Sequence, residues 1–161
     1  YLNPIHNMGY EDFAQAAAEA GVDGVLTVDS PIEHISPLQA ALAARGIDCI
    51  FLIAPTTTPE RIAAIAEKAS GFIYYVSLKG VTGSARLDTE AVARQIALLR
   101  QYTDLPIGVG FGIRDAQSAA QIAQVADAVI VGSRIVQEIE KQPAQAVRAV
   151  ADLVRELKAA V

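Results

Sequence analysis

Residues 72–83 read Phe-Ile-Tyr-Tyr-Val-Ser-Leu-Lys-Gly-Val-Thr-Gly. The first half is aromatic and β-branched, the composition of a buried strand. The second half, Lys79-Gly80-Val81-Thr82-Gly83, is a small, glycine-bearing loop in which backbone can come close to a ligand oxygen. The same pairing recurs twice downstream, where 107–110 runs into Phe111-Gly112 and 127–131 runs into Gly132-Ser133. Three apolar runs that each end on small residues predict one phosphate-binding rim built from several loops.

Working outward, the apolar periodicity alternates between two templates. Strands are expected at 22–28, 48–53, 72–76, 107–110 and 127–131, with residues 1–3 as the end of a further strand that Pro4 stops. Helices are expected at 10–20, 35–44, from 59 to about 69, from 89 past Leu99, at 116–125, at 133–140 and at 143–160. The first presents Phe13, Ala16, Ala17 and Ala20 on one face, with Gly21 as its C′ residue. Thr58 as N-cap, Pro59 at N1 and Glu60 in the first turn form a start signal, and Asp88 or Thr89 and Asp115 are further caps. A strand and a helix roughly every 25 to 30 residues mean a parallel α/β sheet. The regular spacing, with Gly, Ser and Thr at strand C-termini, favours a (β/α)8 TIM barrel over a doubly wound sheet. Five βα units and the end of a sixth strand are expected to form residues 1–161 as a single domain, the C-terminal portion of such a barrel. Open parallel edges then call for missing strands, a complementing chain or pairing between molecules.

Composition narrows the function. At 161 residues, with 52% hydrophobic and 19% charged residues, the chain can bury a real core and is not disordered. A net charge of −5 without a Lys/Arg cluster argues against nucleic acid. An acidic protein that holds a phosphate must do so locally, with backbone N–H groups and helix N-termini. Cys49 is the one cysteine and sits in an apolar run, so it reads as a buried hydrophobe in a reducing compartment. No apolar stretch reaches about 18 residues and no signal peptide is visible, so a cytoplasmic protein without a membrane span is expected.

In a (β/α)8 barrel, phosphate commonly sits between the last two βα loops and a short extra helix. The helix from Ser133 is such an extra one, because 143–160 supplies the outer layer. The N–H groups of Gly132 and Ser133, the Ser133 hydroxyl and the helix dipole can hold a dianion without a cationic side chain. Gly112 lies on the adjacent loop, and the Gly83 region closes the third side. Lys79 and Arg134 could steer the anion or be solvated. Bland roles are expected for His6 and His34 (loop residues), Tyr75 (layer packing), Asp29 (a cap or interface residue ahead of a general base) and Met8 (a gap-filler).

Asp29-Ser30-Pro31, Phe51-Leu52-Ile53-Ala54-Pro55-Thr56-Thr57, Tyr74-Tyr75-Val76-Ser77, Gly80-Val81-Thr82-Gly83, Gly110-Phe111-Gly112-Ile113 and Val131-Gly132-Ser133 together resemble, in order and spacing, the tryptophan synthase α subunit. The resemblance implies a lyase of tryptophan biosynthesis, a retro-aldol cleavage of indole-3-glycerol phosphate to indole and glyceraldehyde 3-phosphate. It implies no cofactor in this chain and passage of indole to a pyridoxal-phosphate β subunit. By the same resemblance, phosphate contacts fall on Gly83, Gly112, Gly132 and Ser133. Tyr74 supports the catalytic acid, Leu26, Phe111 and Ile130 line the indole pocket, and Asn3, Asp29 and Pro31 face the β partner. Ser30 and Leu78 depart from the family, which commonly has Leu or Val and Arg there. The family's acid and base, a Glu and an Asp, precede the region that starts at Tyr1. Two alternatives stand beside this reading: another phosphate-binding barrel enzyme, and a non-catalytic partial barrel.

Overall fold

The computed structural model describes residues 1–77, 88–110 and 112–161. Its strands are hydrogen-bonded in the order β1 (Gly24–Leu26), β2 (Asp48–Ile53), β3 (Ile73–Val76), β4 (Ile107–Gly110) and β5 (Ala128–Ile130). A helix separates each strand from the next, the order produced by successive βα crossovers. The chain divides within β3 into two compact units, Tyr1–Tyr74 with Tyr102–Pro106, and Tyr75–Gln101 with Ile107–Val161.

In the first unit, α1 (Leu2–Met8) and α2 (Tyr10–Glu19) precede β1, α3 (Ser36–Ala43) joins β1 to β2, and α4 (Pro59–Lys68) leads on to β3. β1 and β2 are parallel, with Val25 beside Cys49 and Leu26 beside Ile50. Cys49, Ile50, Phe51 and Ile53 are all buried, as a strand covered on both faces requires. Leu38, Ala41 and Leu42 of α3, and Ile62 and Ile65 of α4, form the buried stripes of the covering helices. Each fully buried Leu or Ile contributes about 1.5–3 kcal/mol. The Thr58 hydroxyl accepts the Arg61 N–H at 3.4 Å, with Pro59 in the first turn, so the start signal read in the sequence is the real one.

Five expectations in this unit are corrected. Residues 1–3 do not end a strand; they open α1, because Pro4 lies in the first turn, where its missing N–H would be unpaired anyway. His6 is therefore helical, its Nδ1 3.1 Å from the Tyr10 hydroxyl. The buried face of α2 is Ala14 and Ala17 rather than the Phe13 stripe, a rotation by one residue that the many alanines do not specify. Strand 22–28 shortens to three residues with Gly24 exposed, and Met8, 49% exposed, fills no gap.

In the second unit, α5 (Thr89–Leu99) leads to β4, α6 (Ala116–Ala123) to β5, and β5 runs into α7 (Ser133–Lys141), a 3-10 turn (Pro143–Gln145) and α8 (Ala146–Ala159). Asp88 caps α5 by accepting the Ala91 N–H at 2.9 Å, and Val92, Ile96 and Leu99 are its buried stripe. All four residues of β4 are buried. β4 and β5 are parallel, with Gly108, Val109 and Gly110 opposite Ala128, Val129 and Ile130. At the start of the pair the Asp127 carboxylate accepts the Ile107 N–H at 2.7 Å and is ion-paired with Arg100. Pro143 opens the last helical segment as expected, but as a 3-10 turn.

Candidate functional site

The β4–β5 register sets the geometry of the predicted phosphate site. Gly110 lies opposite Ile130, so Gly112 and Gly132 each follow two residues beyond paired positions at the C-terminal ends of adjacent parallel strands. Gly112 has φ +80°, a conformation that favours glycine and turns the chain back toward α6. Asp115 caps that helix: its carboxylate accepts the Ser118 N–H at 2.8 Å, while the Ser118 hydroxyl accepts the Arg114 N–H at 3.0 Å and the Asp115 N–H at 3.2 Å. These bonds to Ser118, together with nearby Arg114, hold the Asp115 carboxyl below its usual range.

Gly132 is the N-cap of α7, and Ser133 is its first residue; both are exposed. A Cβ built on Gly132 would meet nothing within 4 Å, so no protein atom demands a glycine there. The Gly132 carbonyl accepts the N–H groups of Ile135 and Val136, at 2.9 and 3.2 Å. Amides ahead of these belong to the first turn, whose N–H groups have no partner within the helix. Arg134 follows, its Nε donating to the Arg114 carbonyl at 3.2 Å and its guanidinium paired with Glu138 at 2.5 Å. The loop after β4 and the start of α7 are thus joined. Arg134 is only 23% exposed, neither the solvated residue nor the free anion-steering cation that the sequence suggested. Glu138 is held below its usual carboxylate range first by the Arg134 hydrogen bond.

The other sequence-predicted residues lie as follows. Ser77, just past β3, donates both its N–H and its hydroxyl to the Gly110 carbonyl, each at 3.1 Å. Tyr74 is half-buried and faces away from Tyr75, which is 3% exposed and whose burial raises the phenol. Leu26 and Ile130 are each the last residue of their strand, half-buried, and belong to separate units. Asn3, Asp29 and Pro31 are exposed in the first unit; the Asp29 carboxylate accepts the Leu2 N–H at 2.7 Å, which brings the loop after β1 against the start of α1. That contact gives the Asp29 carboxylate a backbone partner within the fold. Leu78, Lys79, Gly83 and Phe111 lie outside the described residues. Cys49 is buried, and burial pushes its thiol up to about 11.

The family model described as tryptophan synthase alpha chain matches residues 1–161. The chain belongs to the tryptophan synthase alpha chain family. Curated members similar to it include the tryptophan synthase alpha chain of Neisseria meningitidis serogroup B, 66% identical over 161 residues, which span 100% of this chain and 62% of that protein. The alpha chain of Chromobacterium violaceum is 61% identical, again over 100% of this chain and 62% of its own length. Among solved structures, Mycobacterium tuberculosis tryptophan synthase superposes with a TM-score of 0.88 at 40% identity, covering 100% of this chain and 60% of that one. The tryptophan synthase α2β2 complex of Pyrococcus furiosus gives 0.87 at 32% identity, over 99% and 64%. This member of the tryptophan synthase alpha family therefore spans about three-fifths of the length of the curated relatives it matches. Its fold class is α/β, part of a (β/α)8 barrel.

Within this family member, sequence reading missed the pairing of Arg134 with Glu138 and Arg114. Spacing of four residues between Arg134 and Glu138 was a readable signal, but nothing in the letters tells that a backbone carbonyl from another loop is the third partner. Among the described residues of the second unit, a polar cleft of about 280 Å³ between α7 and α8 is lined by Arg134, Glu138 and Arg148, and an apolar one of similar volume is bounded by Val129, Ile135 and Leu157. No helix among the described residues is long and apolar enough to cross a membrane.

Proposed function

We propose that this chain is the phosphate-holding part of a tryptophan synthase alpha barrel, a cytoplasmic lyase that cleaves indole-3-glycerol phosphate and passes indole to a β subunit in a heterotetramer. The observation that carries the reading is that Gly112 and Gly132-Ser133 follow directly beyond the paired ends of two adjacent parallel strands, with Ser133 opening α7. A phosphate dianion at the first turn of α7 gains from the helix dipole and from the unpaired first-turn N–H groups. The open space beside Gly132 lets a phosphate oxygen approach the backbone. Gly83 is the third contact that the family resemblance supplies.

In the reaction the bond between C3 of the indole and the adjacent glycerol carbon breaks. C3 gains a proton from a general acid, and the glycerol hydroxyl loses one to a base as it becomes the aldehyde. The resemblance assigns those two carboxylates to positions ahead of Tyr1, with Tyr74 supporting the acid. The resemblance likewise assigns Leu26, Phe111 and Ile130 to the indole pocket, and Asn3, Asp29 and Pro31 to the surface facing a β subunit. On this reading residues 1–161 hold substrate and leave it uncleaved.

Indole release from indole-3-glycerol phosphate tests this, measured for the 161 residues alone, with β subunit, and with a family N-terminal segment supplied. Release is expected only when that segment is present. Cleavage by the 161 residues alone would refute the upstream assignment, and no release from any combination would refute the function.

A further inference from the structure

The start of α7 is held in a way its own helix does not explain. Arg134 is the second residue of α7, where a cation meets the positive end of the helix dipole and is disfavoured. Its partner Glu138 stands four residues later, the reverse of the favourable acid-before-base order. Neither feature is what a helix selects for its own stability. Moreover, α7 has no buried residue, so core packing does little to fix where it begins.

What the arrangement does is close a ring. Gly110 is paired with Ile130 across β4 and β5. Four residues on, along each strand, the Arg114 carbonyl accepts from Arg134 Nε at 3.2 Å. The two arms, 111–113 and 131–133, are equal in length and contain Gly112, Gly132 and Ser133. Both closing residues are anchored in turn. The Arg114 N–H donates to the Ser118 hydroxyl at 3.0 Å, and the carboxylate of Glu138 accepts from Arg134 at 2.5 Å and from Gln142 at 2.9 Å. Side-chain exposures of 23% for Arg134 and 13% for Glu138 leave that pair partly buried, while the bonds to the Arg114 backbone lie at the surface.

We propose that Arg134 is a positioning residue for the phosphate end of the site: by tying the loop after β4 to the first turn of α7, it sets the gap between Gly112 and Gly132-Ser133. The proposal rests on the phosphate reading above. Arginine suits the role because its planar fork can serve a carbonyl and a carboxylate at once, whereas the single ammonium of lysine cannot span both in the same geometry. Glu138 orients the fork and offsets its charge beside the helix N-terminus.

The test compares wild type with Arg134→Ala, Arg134→Lys and Glu138→Gln in the full chain. Two readouts are calorimetric binding of sn-glycerol 3-phosphate and amide hydrogen exchange over 112–114 and 133–136. Arg134→Ala is expected to weaken binding about tenfold and to speed exchange in both segments while the global unfolding midpoint moves little. Arg134→Lys, which keeps the charge, should recover only part of the affinity, and Glu138→Gln should lose less than Arg134→Ala. Full recovery by Arg134→Lys would overturn the proposal, since charge alone would then suffice. Unchanged exchange in Arg134→Ala would overturn it as well. If wild type fails to bind glycerol phosphate, the phosphate reading falls, and the exchange data still decide whether the ring is held by Arg134.

Discussion

Asp127→Ala should destabilise the protein without touching the phosphate end. The Asp127 carboxylate takes the Ile107 N–H at 2.7 Å, and Ile107 is 0% exposed, so truncation strands a buried donor. A charge-assisted bond of this kind is worth about 1.5–3 kcal/mol. The ion pair with Arg100 adds less than about 1 kcal/mol, because the two side chains are 37% and 42% exposed and solvent screens them. The sum is about 1.5–4 kcal/mol, or about 3–16 °C in Tm for a domain of this size. Asp127→Asn keeps an acceptor oxygen and should lose about half as much.

The pH dependence has a defined sign. The Ile107 N–H, followed by Arg100, holds the folded carboxyl below its usual value. Its contribution is therefore complete above the unfolded pKa of about 3.9 and is lost as pH falls through the lower folded pKa. Urea unfolding of wild type and Asp127→Ala at pH 7, 5, 4 and 3 should show a full gap at the first two and a shrinking one below. A gap under about 0.5 kcal/mol at pH 7, or one that stays constant down to pH 3, would refute the reasoning.

Three further outcomes are expected. Ser133→Asp places a carboxylate at the first turn of α7 and should abolish binding of glycerol phosphate in calorimetry; retained affinity would displace the phosphate from that helix. Ile122→Ala empties a position that is 0% exposed and should cost about 2–5 kcal/mol by denaturant unfolding, whereas Thr58→Ala, which removes only a cap, should cost about 1 kcal/mol. Cys49, its thiol pushed up to about 11, should react with iodoacetamide at pH 8 at least about a hundredfold more slowly folded than in denaturant.

The strands with continuous apolar letters were legible: β2 and β4 have the bounds read from the sequence, because burial on both faces leaves an unbroken run. Caps were legible too, since Thr58, Asp88 and Asp115 act through bonds to their own neighbours. The start of the chain was not, because Tyr1-Leu2-Asn3-Pro4 suits a strand end and a first helical turn equally, and the deciding bond comes from distant Asp29. The alanine-rich α2 failed for a different reason: with small residues on most faces, no face announces itself. At the candidate site the glycines could be read, but the Arg134 bond to a carbonyl 20 residues away could not.

That α7 buries none of its residues has a consequence for how such a protein can change over generations. Core substitutions are filtered by packing, whereas a helix lying outside the core is free to accept new side chains at low cost. Random replacement at the exposed positions Val136, Gln137, Ile139 and Glu140 should therefore be tolerated, unlike replacement of Ser133, Arg134, Glu138 or the half-buried Ile135. A lineage could rewrite the helix's outer face, and whatever it touches, while inheriting the strand ends beneath it unaltered.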